Sequence, residues 1–160
     1  MCGVVRINQI NYKPGSMLKV LTSSGKKEMK WGISKTQIVT KIGRTEEINK
    51  ILYNARIETV LEGNFWNSMI KNNCVLKVDG FYEKNQYFIP HFHLHDLWLP
   101  GLYNNENSFV LLTQNAGPLV RNFHHRQPIL LFKDNIDEYI QEGKLLKALS
   151  HNKNHLKLSA

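Results

Sequence analysis

The sequence predicts an α+β fold: a single domain built on a strongly bent, β-barrel-like mixed sheet with a few peripheral helices. Three observations lead there. The 160 residues suit one domain with a closed core. From Cys74 onward, short apolar–polar alternations are split by turn residues. Near the end, Ile136, Tyr139, Ile140, Leu145, Leu146 and Leu149 recur at helical spacing.

The elements follow in order. Residues 11–16 read as a turn, because Pro14 fixes φ and Gly15 admits φ > 0. Residues 17–21 form a short strand, 23–27 a hairpin tip and 28–33 its return strand. Residues 38–42 extend the sheet. Helices are expected over 46–53 and 62–72, the second with Val60, Phe65, Met69 and Ile70 on one apolar face. Strands are expected over 75–78, 81–83, 87–94, 97–103, 109–113 and 128–132, with turns at Asp79-Gly80 and Asn104-Asn105. The end is helical over 135–142 and 144–149. No repeat or low-complexity linker divides residues 1–160, so they are read as one domain.

Composition narrows the function classes. Hydrophobic residues make up 42% and charged residues 21%, which excludes a disordered tail. No apolar run approaches the ~20 residues that span a bilayer. The first residues lack a charged-then-apolar leader, so a cytoplasmic location is expected. Lys and Arg total 21 against 13 Asp and Glu, a net charge of +8. Such a domain suits a polyanion, nucleic acid first, with solubility as the alternative. The two cysteines, Cys2 and Cys74, cannot build a disulfide framework or a zinc ribbon. Cys74 opens the alternating run Cys74-Val75-Leu76-Lys77-Val78 and reads as buried strand packing.

Cys2 is different. Initiator Met is normally trimmed before a small second residue, leaving an α-amine and a thiol on one residue. Their reference pKa values are near ~8 and ~8.5, so both are partly nucleophilic at neutral pH. An aminothiol condenses with an aldehyde to an imine, and the thiolate closes it to a thiazolidine at high effective molarity. A chance early cysteine is the alternative.

Four further segments carry polar chemistry. Asn54 offers donors and an acceptor and Arg56 a planar fork for phosphate, unless they merely end a helix. Glu83 sits among aromatics, where desolvation would hold it protonated for acid–base work, unless it is an exposed partner of Lys84. In Phe123-His124-His125-Arg126-Gln127-Pro128, a histidine is a candidate general acid or base; adjacent in a strand, His124 and His125 would face opposite ways. His91, His93 and His95 alternate, which fits either a metal site or a solvated strand face. Trp31, Trp66, Trp98, Tyr12, Phe81 and Tyr82 are flat surfaces for unstacked bases or simply core.

Together, Met1-Cys2-Gly3, Trp31-Gly32, Asn54-Ala55-Arg56-Ile57-Glu58-Thr59, Asp79-Gly80-Phe81-Tyr82-Glu83 and His124-His125-Arg126-Gln127-Pro128 resemble the SRAP family, the SOS response-associated peptidase or abasic site processing proteins. Asn11 to Gly15 and Phe109-Val110-Leu111-Leu112-Thr113 also look like family segments. The resemblance covers roughly residues 1–132, leaving 133–160 as a C-terminal helical segment. It implies covalent capture of abasic sites in single-stranded DNA by a monomer without cofactor or metal, on a single α+β domain around a barrel-like sheet. By that resemblance Cys2 matches the crosslinking cysteine, Asn54 the Asn near the linkage, Glu83 the proton-transfer glutamate and His124 the catalytic histidine. Arg56 matches a phosphate contact, and Arg126, Trp31 and Lys13 are taken as further DNA contacts.

Departures from the family pattern are concentrated. The stretch between Arg6 and Asn11 is shorter than a usual helical insertion, and Ile33-Ser34-Lys35-Thr36 stands where the family has a Pro and a Trp. Lys84 replaces a frequent Trp, His125 a frequent Asp or Asn, and 150–160 lacks a closing motif. Three other readings stay open: a Cys2-dependent N-terminal-nucleophile peptidase or amidohydrolase, a non-catalytic single-strand binding module, and a metal enzyme on His91, His93 and His95.

Overall fold

The computed structural model describes residues 3–90, 96–131, 133–142 and 156–158. The first half is a run of strands: β1 (Val4–Ile7), β2 (Ile10–Tyr12), β3 (Met17–Thr22), β4 (Gly25–Trp31), β5 (Ile33–Lys41), β6 (Arg44–Leu52) and β7 (Asn54–Arg56), which enters the one-turn helix α1 (Ile57–Val60). The second half holds β8 (Asn73–Val78), β9 (Gly80–Glu83), β10 (Gln86–Pro90), β11 (Leu97–Tyr103), β12 (Ser108–Asn115), helix α2 (Pro118–Arg121), β13 (Arg126–Pro128), helix α3 (Ile136–Glu142) and β14 (Leu156–Leu158). The fold is α+β and dominated by sheet, as the alternating runs predict.

Tight turns set the registers. Asn8-Gln9, Ile42-Gly43 and Lys84-Asn85 each have two successive positive φ values. That is the primed turn whose twist matches the right-handed twist of paired strands. The Asn8-Gln9 turn joins β1 to β2 directly, which explains how the short stretch after Arg6 closes.

Strands β11, β8, β3, β4 and β12 lie side by side, and β12 returns to β11. The result is a closed ring of five strands, antiparallel except at the β4–β12 seam, where Ser108 faces Lys30 and Phe109 faces Trp31. Beyond the ring, β12 is flanked by β7, parallel, and by β13, antiparallel. A second sheet has the order β14-β10-β9-β1-β2.

Two clusters fill the core, and β12 feeds both. Phe109 and Leu111 join Leu18, Val20, Met29, Trp31 and Leu76 with Val5, Phe81 and Phe88 of the second sheet. Val110 and Leu112 face the other way, onto Val75, Leu102, Ile129, Ile57 and Val60 of α1, and Tyr139 of α3. This two-sided burial explains why β12 reads as a continuous apolar run. The Tyr139 hydroxyl donates to the Gly101 carbonyl at 2.6 Å, which satisfies its polar end.

Gly32 is where the chain leaves the ring. Its φ of +138° favours glycine, and a Cβ there would lie 2.9 Å from both Ile51 Cγ2 and the Tyr53 ring. The strand read over 28–33 therefore breaks at this residue, and β5 and β6 pair only with each other.

Several expectations are corrected. Residues 46–53 are not helical. Ile48, Ile51 and Leu52 have helical spacing, but the Ile42-Gly43 turn commits the segment to cross-strand pairing with β5. Residues 62–72 form a 3-10 turn (Asn64–Trp66) and further turns with bonds such as Met69 N–H to Trp66 O, 2.9 Å. Gly63, Asn64, Asn67 and Asn72 disfavour a regular helix, and Trp66 and Met69 anchor the segment in the core instead. Gly80 is not a turn residue but part of β9, where a Cβ would meet the Phe88 carbonyl oxygen. The strand read over 128–132 starts earlier, at Arg126, and beyond it Leu131 makes a single bridge to Trp98. The end of the strand read over 87–94 and the helix read over 144–149 lie outside the described residues.

Candidate active site

The site is organised around the start of β1. Val4 pairs with Tyr82 of β9, and Val5 pairs with Tyr12 of β2. Gly3, before Val4, therefore stands at the same end of the sheet as Glu83, after Tyr82, and as Lys13, after Tyr12. Cys2 itself lies outside the described residues. Lys13 is exposed in the β2–β3 turn, where its carbonyl accepts from the Ser16 hydroxyl at 2.6 Å.

Glu83 ends β9 and is only 4% exposed. Loss of hydration penalises its ionised form and pushes its pKa up to about 7. At neutral pH the carboxyl is therefore divided between acid and base forms, which is what reversible proton transfer needs.

His124 follows α2 and precedes β13. Its backbone N–H donates to the Val120 carbonyl at 2.9 Å, which fixes it against the end of α2. Its Nδ1 accepts the Arg126 N–H at 3.0 Å. The same Nδ1 lies 3.1 Å from the Arg126 carbonyl, so the tautomer decides which ring nitrogen carries the proton. Burial holds its pKa below the ordinary histidine value, and the charges of His125 and Lys84 act in the same direction. His124 is therefore a neutral imidazole at neutral pH. Lys84, the residue after Glu83, therefore lies within electrostatic reach of His124. Packing links the two segments: Phe81 stacks on Phe88 at 5.3 Å, and Phe88 meets Phe123 edge-on at 5.8 Å. His125 is exposed and stacks on the His124 ring at 4.4 Å.

Arg126 is only 5% exposed. Its guanidinium makes a bidentate pair with Glu58 at 2.9 and 2.8 Å, and also donates to Asn115 Oδ1 at 2.8 Å and the Thr113 carbonyl at 2.9 Å. The expectation that Arg126 lines a DNA groove is corrected: its fork is committed inward, tying β13 to α1 and β12. The arginine holds the Glu58 carboxyl below the usual carboxylate range. Nothing in the local sequence around Glu58 announces this partner. The signal was bidentate geometry between two motifs 68 residues apart, which only the fold displays.

Asn54 opens β7, half-buried, opposite Leu111 of β12. Arg56, opposite Thr113, is exposed and is the arginine of that motif available to a phosphate. The structure thus sets Glu83 and Lys13 at the end of the sheet where β1 starts, puts His124 within reach of the Lys84 charge, and runs Asn54 and Arg56 along β12 toward the Arg126 cluster. Trp31 is corrected as a base-stacking surface. It is fully buried, stacks on Phe109 at 6.5 Å, and donates its indole N–H to the Tyr53 carbonyl at 2.9 Å.

His91, His93 and His95 lie outside the described residues. Among the described residues, no three His, Cys, Asp or Glu side chains converge as a metal site requires. Among them, too, no helix is long and apolar enough to cross a membrane.

Beside the closed mixed ring, the second sheet thus carries a buried carboxyl next to its strand β1, with an imidazole of lowered pKa on the segment after α2, an arrangement suited to acid–base chemistry. The family model for SOS response associated peptidase (SRAP) matches residues 5–158, nearly the whole chain. The chain belongs to this family, which ties it to DNA-damage-associated function and to DNA as the related partner. A search of curated proteins gave no match.

Proposed function

We propose that the protein captures abasic sites in single-stranded DNA, acting as a monomer, through a thiazolidine formed on Cys2 after Met1 is removed. The observation that carries the reading is the buried Glu83, with its carboxyl at about 7, at the end of the sheet where Gly3 stands. One peptide unit, ~3.8 Å between Cα atoms, joins Gly3 to Cys2.

The chemistry balances. Glu83 as acid protonates the sugar ring oxygen while a base takes the proton of the anomeric hydroxyl, opening the ring to an aldehyde. The Cys2 amine adds to the carbonyl carbon, and water leaves to give an imine. The thiolate adds to the imine carbon, and the nitrogen takes a proton. Neutral His124 accepts and returns protons, Asn54 orients the adduct by hydrogen bonding, and Arg56 and Lys13 hold flanking phosphates.

The test uses purified protein and a uracil-containing single-stranded oligonucleotide treated with uracil glycosylase. A heat-stable adduct on a denaturing gel is expected, absent with Cys2→Ala. No adduct, or an equal yield from Cys2→Ala, overturns the reading. Intact mass checks that Met1 is gone. The family's description names a peptidase, so a second reading has Cys2 attack an amide carbonyl with the same proton donors. Cleavage of peptides dependent on Cys2, without an adduct on DNA, would favour it.

A further inference from the structure

β5 and β6 form a two-stranded ribbon outside both larger sheets. At ~3.4 Å per residue, each nine-residue strand reaches about 30 Å. Only its root is buried. Ile33 joins the core, and no later residue of β5 and none of β6 is buried. A free two-stranded ribbon is marginal in water, so its charge pattern is informative.

The register opposes Lys35 to Lys50 and Lys41 to Arg44. Side chains alternate along each strand, so these four residues, all the cations of the ribbon, share one face. The other face carries Ser34, Thr36, Ile38 and Thr40 with Thr45, Glu47, Asn49 and Ile51. Like charges directly opposite are destabilising. A ribbon serving only solubility would set its acids against its cations, yet Glu46, which shares the face of the cations, opposes Val39, and Glu47, on the other face, opposes Ile38. Lys35 is steadied at the root, its Nζ 4.9 Å from the centre of the Phe65 ring. The two cation pairs stand about 20 Å apart along the ribbon, a spacing for a repeating anion rather than a single one. The net charge of +8 favours the same partner.

We infer that the cationic face of the β5–β6 ribbon, Lys35, Lys41, Arg44 and Lys50, is a second DNA contact that holds the phosphates of single-stranded DNA beyond the reacting site. The inference rests on the proposed reading of the protein as a single-strand binder, and lengthens its footprint. Phosphate neutralisation removes the cross-strand repulsion, so the ribbon is stiffer when DNA is bound.

The experiment measures binding of unmodified oligothymidylate of about 20 nucleotides, longer than the ~4–16 that one small domain covers. Affinity is read by fluorescence anisotropy between roughly 50 and 200 mM salt. Lys41→Gln/Arg44→Gln changes exposed residues beside the tip turn, and an unchanged melting temperature verifies the fold. A control, Lys26→Gln/Lys27→Gln, removes equal charge from the start of β4. The ribbon variant is expected to weaken binding several-fold at low salt. It should flatten the slope of log affinity against log salt by about 1.4, given ~0.7 per phosphate contact on a single strand. The control should change the slope by much less. Equal slopes for the two variants, or no salt-dependent binding by the unaltered protein, overturn the inference. So does a variant that changes the mass in solution while leaving DNA affinity unmoved, which would assign the ribbon to self-association. The oligonucleotide carries no lesion, so a failed adduct sinks only the Cys2 chemistry and a failed slope sinks only the ribbon.

Discussion

Glu83 is neutral over a range in which an unfolded glutamate is ionised. Burial raises its folded pKa to about 7 from the ordinary 4.5. The stability it contributes is therefore complete below about 4.5 and is lost as pH rises through about 7. Glu83→Gln keeps the shape and removes the titration. Urea unfolding at pH 4 should find variant and parent nearly equal. At pH 8 the variant should be the more stable, by on the order of 3 kcal/mol. A variant less stable than its parent at pH 8 would refute the burial argument. The same change should slow adduct formation, because the amide cannot donate a carboxyl proton. Glu83 was legible in the sequence, since aromatic neighbours announce a dry carboxyl. The inward role of Arg126 was not, because an arginine in a polar turn looks the same whether it meets a phosphate or a buried carboxylate.

Helix α1 has four residues, too few to stand alone. Its position depends on Ile57 and Val60 in the core and on Glu58 clamped by Arg126. Arg126→Ala removes the clamp and strands the groups on Asn115 and Thr113. The Glu58 side chain is 45% exposed and stays hydrated. The cost should therefore fall near the lower end of the ~3–5 kcal/mol seen when a buried pair loses one partner. Glu58→Gln should cost about 1 kcal/mol. Chemical denaturation measures both, and a loss below about 1 kcal/mol for Arg126→Ala would show the cluster to be dispensable. Strand β3 is legible because burial on one face writes itself into every second residue. The ribbon strand β6 imitates a helix in its sequence because it has no buried face to impose that alternation. Its conformation is decided by a two-residue turn and by its partner strand.

Across the molecule, protection should be graded. β12 is covered on both sides, whereas the ribbon beyond its root is at most half covered on one. Native-state hydrogen exchange should therefore release the amides of 36–49 early and those of 111–113 last. Uniform exchange would contradict the picture of a barrel with a free-standing arm. The overall class was legible because strand spacing and turn residues bound the architecture. Closure of the ring was not, since the parallel β4–β12 seam joins segments far apart in sequence. One buried group makes that closure observable. Cys74 is fully enclosed beside Gly101, and burial pushes its thiol well above the ordinary range. An electrophilic dye can reach that sulfur only when neighbouring strands part. Its rate of alkylation is thus a clock for the breathing of the barrel, and any sulfur that the dye finds promptly belongs to Cys2.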